Sequence, residues 1–356
     1  MGPPQLRTPK PPLNMAPSKT DARRLALTLV LLAGVLTTVV VLALFVGSAQ
    51  LSARAVLAAL TGRAEADSVA TVVTLNLRLP RIAVAALAGG ALAVAGVAFQ
   101  ALTRNPLAEP SVLGVSACAA FGVVLAQIFG LGLTFLAALG LAAFAFAGAL
   151  VAAGAVYLIA AAGAGLSIQT LLLAGVIVGI FFSSAITVLI SIIDFNRLGG
   201  VIHWLLGNLA PIPPGALLVF AVLAALGFWL IVGQARELNL LALGEEAASQ
   251  LGVNAERLKL RIFGGAALLT GCAVAFAGPI GFVGLIVPHL LRGALGHDNR
   301  LLVPSALVGG ATFLLLADTL ARNVIAPAEL SVGVITSLCG APFFVYLLRT
   351  RYRARL

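Results

Sequence analysis

The stretch that decides the fold is PSVLGVSACAAFGVVLAQIFGLGLTFLAALGLAAFAFAGALVAAGAVYLIAAAGAGLSIQTLLLAGVIVGIFFSSAITVLISII, residues 110–193, which holds no Asp, Glu, Lys or Arg. A helix that crosses a bilayer needs about 20 apolar residues, so three or four crossings fit here. Turn-like sites at Gly130-Leu131-Gly132 and Gly163–Ser167 divide the stretch into three spans. The apolar runs are continuous, whereas a membrane β-barrel alternates apolar and polar residues in segments of about ten. The rest of the chain agrees. Of 356 residues, 61% are hydrophobic and 10% charged, against about a quarter charged in a soluble domain. A disordered chain would be short of apolar residues and rich in charge. The expected fold class is an all-α polytopic membrane protein.

Working outward, residues 1–24 are Pro-rich and basic and read as a disordered cytoplasmic tail. The first span runs from about Leu25 to Gly47. A polar loop follows with Arg54, Arg63, Glu65 and Asp67, then LRLPR (77–81), and span two covers about Ile82 to Leu102. Span six is Gly215–Val232, and residues 236–261 form a charged aqueous loop. Hydropathy leaves Ile262–Leu291 open between one long helix and two short ones broken at Gly278-Pro279. Charge parity decides for two, because only then do Arg292, Arg300 and the terminal RTRYRAR (349–355) fall on the same inner side as the tail. The count is ten spans over 25–348, both termini cytoplasmic, with a short tail at 349–356. Pro279 and Pro288 are tolerable in lipid only where neighbouring helices satisfy the freed backbone groups, so this hairpin should be buried.

The net charge of +10 reads as Lys and Arg setting orientation in cytoplasmic loops, with no nucleic-acid partner. Cys118, Cys272 and Cys339 show no paired spacing and read as small core hydrophobes. No phosphate-binding GxxxxGK[ST] loop, metal motif or nucleophile cluster is present, so neither catalysis nor a cofactor is expected. Ion-coupled carriers place ionisable groups near mid-membrane. Asp318, close to the end of span nine, reads as solvated at an aqueous rim. What remains is a passive conduit that takes its energy from a partner, with an ion-coupled carrier or an assembly protein as the alternatives in other classes.

Arginines on the outer side run against the orientation rule. Arg54, Arg63, Arg78, Arg81 and Arg322 fall there and leave two readings open, an acidic partner paired through bidentate guanidinium contacts or interfacial snorkelling, the second being favoured for Arg54 and Arg63. On the inner side, 238–261 reads as two short amphipathic helices separated by Gly244 and offered to a protein groove.

The motifs RLPR (78–81), FQALTRNPLAEPSVLGVS (99–116), HWLLG (203–207), LALGEEAASQLGV (241–253), GPIGFVGLIVPHLLR (278–292), ADTLAR (317–322) and ELSVGVITSLCGAPFF (329–344) resemble the FecCD-type permeases of type II ABC importers for haem, ferric siderophores and cobalamin. The resemblance covers nearly the whole chain from span one. It implies a homodimer of ten-helix subunits in the inner membrane, two ATPase subunits below and a periplasmic binding protein above. Carried over residue by residue, it implies that Arg78, Arg81 and Arg322 pair with glutamates of the binding protein. Leu241, Ala242, Leu243, Gly244, Glu245, Glu246, Leu251 and Gly252 correspond to the ATPase-coupling helices, and Asn105 and Leu107 to a cytoplasmic gate. Arg197 and His203, near the outer mouth, are candidates for attracting anionic groups such as haem propionates. The resemblance ranks haem and ferric siderophore ahead of cobalamin as cargo. Ser331 where the family often has Pro, Ala117 where it has Gly, and a long 194–203 connection are departures near the mouth.

Overall fold

The computed structural model describes residues 19–130, 139–162, 165–326 and 328–353. Two of the expected turn sites, 131–132 and 163–164, lie outside the described residues. Among the described residues the chain is helical throughout, with no strand. Seven helices are long and apolar enough to cross a membrane, and three shorter apolar helices accompany them. Numbered in chain order, the ten are α1 (Lys19–Phe45), α2 (Val69–Thr103), α3 (Val115–Phe129), α4 (Leu141–Ala160), α5 (Ile168–Ile192), α6 (Pro214–Val232), α7 (Ala255–Ala277), α8 (Val283–Leu295), α9 (Asn299–Asn323) and α10 (Val332–Arg353). The hairpin at 262–291 is two helices, as charge parity requires.

Three of the boundaries differ from the sequence reading. Helix α1 opens at Lys19, inside the segment read as a tail, and α10 continues to Arg353. The LRLPR segment is not loop: α2 starts at Val69 and passes through it. Pro80 has no N–H to donate one turn back, and the backbone immediately before it, Val72–Arg78, widens into a π-helical run.

Helix α2 is the axis of the bundle. Its apolar window is 83% buried, against 6% for α1 at the periphery, and it packs on α9, α7 and α8. Small residues make these crossings close. A methyl group added at Gly89 would lie 2.2 Å from the Gly310 carbonyl on α9, and one at Gly96 would lie 2.1 Å from the Gly284 carbonyl on α8. Such approach is how helices associate where no hydrophobic force separates protein from lipid.

Helix α8 spans only 13 residues, about 20 Å at helical rise, and is preceded by irregular backbone at 278–282. That backbone is satisfied from within the protein. Pro288 inside α8 leaves the Gly284 carbonyl without its helical donor, and Gln100 Nε2 of α2 donates to that oxygen at 2.9 Å. The Phe282 amide, at a left-handed φ of 69°, donates to Glu109 Oε1 at 2.7 Å. Cys118 and Cys272 are buried as expected; Cys339 is exposed.

Candidate functional site

The polar side chains gather at the two ends of the bundle. At one end, α2, the α9 terminus and the α9–α10 connection bring together Arg78, Arg81, Asp318, Arg322 and Glu329. Arg78 lies over Gly47 and donates to the carbonyls of Leu44 at 2.5 Å and Ala49 at 2.6 Å. Arg81 donates to Asp318 Oδ1 through Nε at 3.0 Å and Nη2 at 2.9 Å, and to Glu329 Oε2 through Nη1 at 2.7 Å. Arg322 Nε stands 3.0 Å from Asp318 Oδ2, and its Nη2 has no hydrogen-bond partner among the described residues. Asp318 is therefore not solvated at a rim: it is fully buried, between two guanidinium groups.

The sequence placed these three arginines on a free outer surface, and the structure gives each an internal role. Arg78 and Arg322 are both 4% exposed, whereas the Arg81 side chain retains 17% exposure and Glu329 37%. Arg81 and Arg322 pair with the carboxylates while Arg78 is bound to backbone carbonyls, so the cluster of three guanidinium groups and two carboxylates carries an excess positive charge. Glu329 is the most exposed member. Burial would raise its carboxyl, but Arg81, the Ser48 hydroxyl at 2.9 Å and Arg322 outweigh burial and hold it below the ordinary carboxylate range.

The same end carries the short helix Phe195–Leu205. Arg197 and His203 are exposed. Arg197 donates to the Gln127 carbonyl at 2.9 Å and to that of Ile128, so it caps the last turn of α3.

At the opposite end, the 233–254 loop folds into two short helices, Ala235–Leu241 and Glu245–Gln250. Gly244 between them adopts a φ of 115°, a conformation open to glycine. Leu238, Leu241 and Ala248 face the bundle and are buried, while Leu243 (67%) and Leu251 (55%) stand out as large exposed apolar side chains beside Ala242, Glu246 and Gly252.

Lys259 anchors this loop. It is buried, pairs with Glu245 at 3.1 Å and Glu256 at 2.5 Å, and donates to the Leu166 carbonyl at 2.8 Å, while Glu256 accepts from the Leu166 amide. A second tie runs from Asn239 to Asp298 Oδ1 at 2.6 Å and to the Asn299 amide at 2.8 Å. Sequence reasoning passed over Lys259, although its signal was present: it is one of three lysines in the chain and the only one beyond residue 19.

Asn105 and Leu107 lie at this same end in the turn after α2, both exposed, and Asn105 Oδ1 accepts from the Leu107 amide at 2.9 Å. Glu109, a few residues on, is an ionisable group inside the bundle that the sequence reading left aside. Its Oε1 accepts from the Phe282 amide. No group of His, Cys, Asp or Glu side chains placed to hold a metal occurs among the described residues.

The described structure is thus a membrane-type helical bundle with a buried central helix and ion-pair clusters towards its two ends. Residues 35–350 match the FecCD transport family, and the chain belongs to it. The chain is 41% identical over 260 residues to the hemin transport system permease protein HmuU of Yersinia pestis, covering 73% of this chain and 78% of that one. It is 38% identical over 260 residues to the vitamin B12 import system permease protein BtuC of Vibrio vulnificus, covering 73% and 77%. A structure described as an inward-facing metal-chelate type ABC transporter superposes with a TM-score of 0.79 at 33% identity, over 90% of this chain and 98% of that one. The chain is accordingly the multi-span inner-membrane permease subunit of an ABC importer, a non-catalytic subunit whose ATP hydrolysis belongs to a partner ATPase. The ion-coupled carrier and the assembly protein fall away with that membership.

Proposed function

We propose that this permease carries a bulky iron chelate, haem or a ferric siderophore, from periplasm to cytoplasm by alternating access at the interface of a homodimer. The relatives named for hemin and vitamin B12 support the chelate class, and cobalamin is the second cargo. Helix α10 packs mainly on α9 and α8 and exposes Leu338, Val345 and Tyr346, which supports a second copy against this edge. In this arrangement the 233–254 loop and both termini lie in the cytoplasm, and Asn105 and Leu107 gate the path at that end.

The observation that carries the reading is the pair of exposed leucines, Leu243 and Leu251, on a loop clamped to the bundle by Lys259. A clamped apolar face suits a cleft in an ATPase subunit and passes its movement to the helices as a rigid body. At the periplasmic end the arginine cluster receives an acidic segment of the binding protein. Arg81 makes the first contact, exchanging Glu329 for a carboxylate of the partner, while Arg78 and Arg322 hold the excess positive field behind it.

The test is the reconstituted importer with its ATPase and binding protein. Arg81→Glu should abolish stimulation of ATP hydrolysis by the binding protein, and Glu329→Gln should lower the binding protein concentration needed for half-stimulation several-fold. Unchanged stimulation in both variants sinks the docking assignment. Uptake with haem, ferric siderophore and cobalamin in parallel decides the cargo.

A further inference from the structure

Beside the gate turn, a cavity of about 490 Å³ opens between the end of α2, the coupling loop, α8 and the α8–α9 connection. Its polar lining is Gln100, Arg104, His289, Arg292, His297 and Asn299, with no carboxylate among the lining residues. Of the neighbouring acids, Glu245 makes a long ion pair with Arg104 at 3.9 Å while its shorter bond goes to Lys259, and Asp298 accepts from Asn239 and from both the backbone and the side chain of Arg300.

Arg292 is the informative member. Its hydrogen-bond partner is Gln100 Oε1, a neutral acceptor for a group with five donors and a fixed charge. The orientation of Gln100 is not free, because its Nε2 is committed to the carbonyl that Pro288 leaves open. The carboxamide oxygen therefore faces Arg292, and the cavity lining adds the guanidinium of Arg104 with no carboxylate to neutralise either charge from within the lining. Helix α1 brings its basic start to the same corner, where Arg24 donates to the Leu295 carbonyl at 3.1 Å. Leu290 is exposed on α8 nearby.

We infer that this cavity binds a phosphate-class oxyanion, with Arg292 and Arg104 as its two charged contacts. Guanidinium forks match phosphate oxygens bidentately, and basic pockets between helices at a cytoplasmic membrane face take anionic headgroups. The phosphate has two sources, the phosphodiester of an anionic lipid or free phosphate. The lipid source rests on the proposed cytoplasmic orientation of this end; the oxyanion chemistry does not. An occupant bridging Arg104 and Arg292 joins the gate turn to α8 beside the coupling loop.

The experiment uses the full-length protein in a neutral maltoside detergent. Phosphatidylglycerol is titrated with native mass spectrometry as readout, and inorganic phosphate by calorimetry. Wild-type protein should bind one or both, and Arg292→Gln and Arg104→Gln should each weaken binding about tenfold, the loss of one charge-assisted contact. Arg63→Gln, in the remote loop, should bind as wild type. Saturable lipid binding alone identifies the headgroup, phosphate binding alone the soluble ion, and mutual competition one site for both. Arg104 is exposed on a turn, so its variant tests the site without disturbing the core, and Arg292→Lys should bind between wild type and Arg292→Gln. Binding of neither ligand to wild type, or binding unchanged in Arg292→Gln, overturns the inference. Transport and ATPase stimulation are separate readouts, so failure here leaves the importer function standing.

Discussion

Asp318 holds together charges that would otherwise repel. Fully buried, it faces Arg81 with one oxygen and Arg322 with the other. Removing one partner of a buried ionic network costs about 3–5 kcal/mol because the remaining charges stay desolvated. Asp318→Asn should therefore lower folding stability by about 3 kcal/mol, read as an earlier midpoint in denaturant titration of the purified permease; an unchanged midpoint would mean the cluster contributes nothing to the fold. Outer-side charge alone marked Arg54 and Arg63 as well, and the RLPR and ADTLAR motifs were what set Arg78, Arg81 and Arg322 apart as a group. Their burial was not legible, since it depends on Gly47 and the Leu44 and Ala49 carbonyls of a different helix end, and on Asp318 one turn before Arg322. The same holds for Gln100. Nothing local marks it, and its role exists only because Pro288 on another helix frees a carbonyl opposite it.

Among the helices, the α2–α9 crossing sets how closely the bundle closes. With Gly89 and Gly310 backbone to backbone, Gly89→Ala should separate the helices and destabilise the protein by about 1–3 kcal/mol. Gly264→Ala on α7, where an added methyl group meets nothing within 4 Å, should be neutral or stabilising by up to about 1 kcal/mol. Thermal unfolding of the two variants side by side separates close packing from mere helix propensity, and equal shifts would count against the crossing.

The tie between the coupling loop and α9 gives a pH signature. Burial would raise the Asp298 carboxyl, but the Arg300 amide and guanidinium and the Asn239 amide outweigh it and hold it below its ordinary value of 3.8. A carboxylate with a depressed folded pKa contributes stability above the unfolded value and loses it as pH falls through the folded one. The stability gap between wild type and Asp298→Asn should thus be full at pH 7 and close below about pH 4, followed by denaturant midpoints across that range. A gap independent of pH would remove the carboxylate from the tie. At this scale the sequence located ten helices, because apolar length and charge parity are properties of each segment. It missed where α2 begins, because the polar LRLPR looks like loop until its arginines find partners on other helices.

Taken whole, the molecule is a buried axis with a polar cluster at each end, and in the proposed function the end that carries the 233–254 loop is the one through which work enters. Leu243 and Leu251 are exposed and touch little of the permease itself, so Leu243→Asp with Leu251→Asp should leave its own stability within about 0.5 kcal/mol of wild type. The same pair of changes should release the ATPase subunits, because charged side chains would then have to be desolvated in an apolar cleft. The measurement is co-purification of the ATPase with the permease, alongside the permease's own unfolding midpoint. Arg81→Glu is the mirror-image control: it should retain the ATPase and lose the response to the binding protein. In the proposed function, transmission between the ends demands that the loop move with α7 rather than flex against it, and Lys259 on α7 ties the loop through Glu245 while its own position is fixed by Glu256 and the Leu166 carbonyl. Lys259→Met should therefore keep the ATPase bound yet raise ATP hydrolysis without uptake, since the motor would turn against a slack joint. Hydrolysis and uptake falling together in that variant would mean the loop moves the helices by another route.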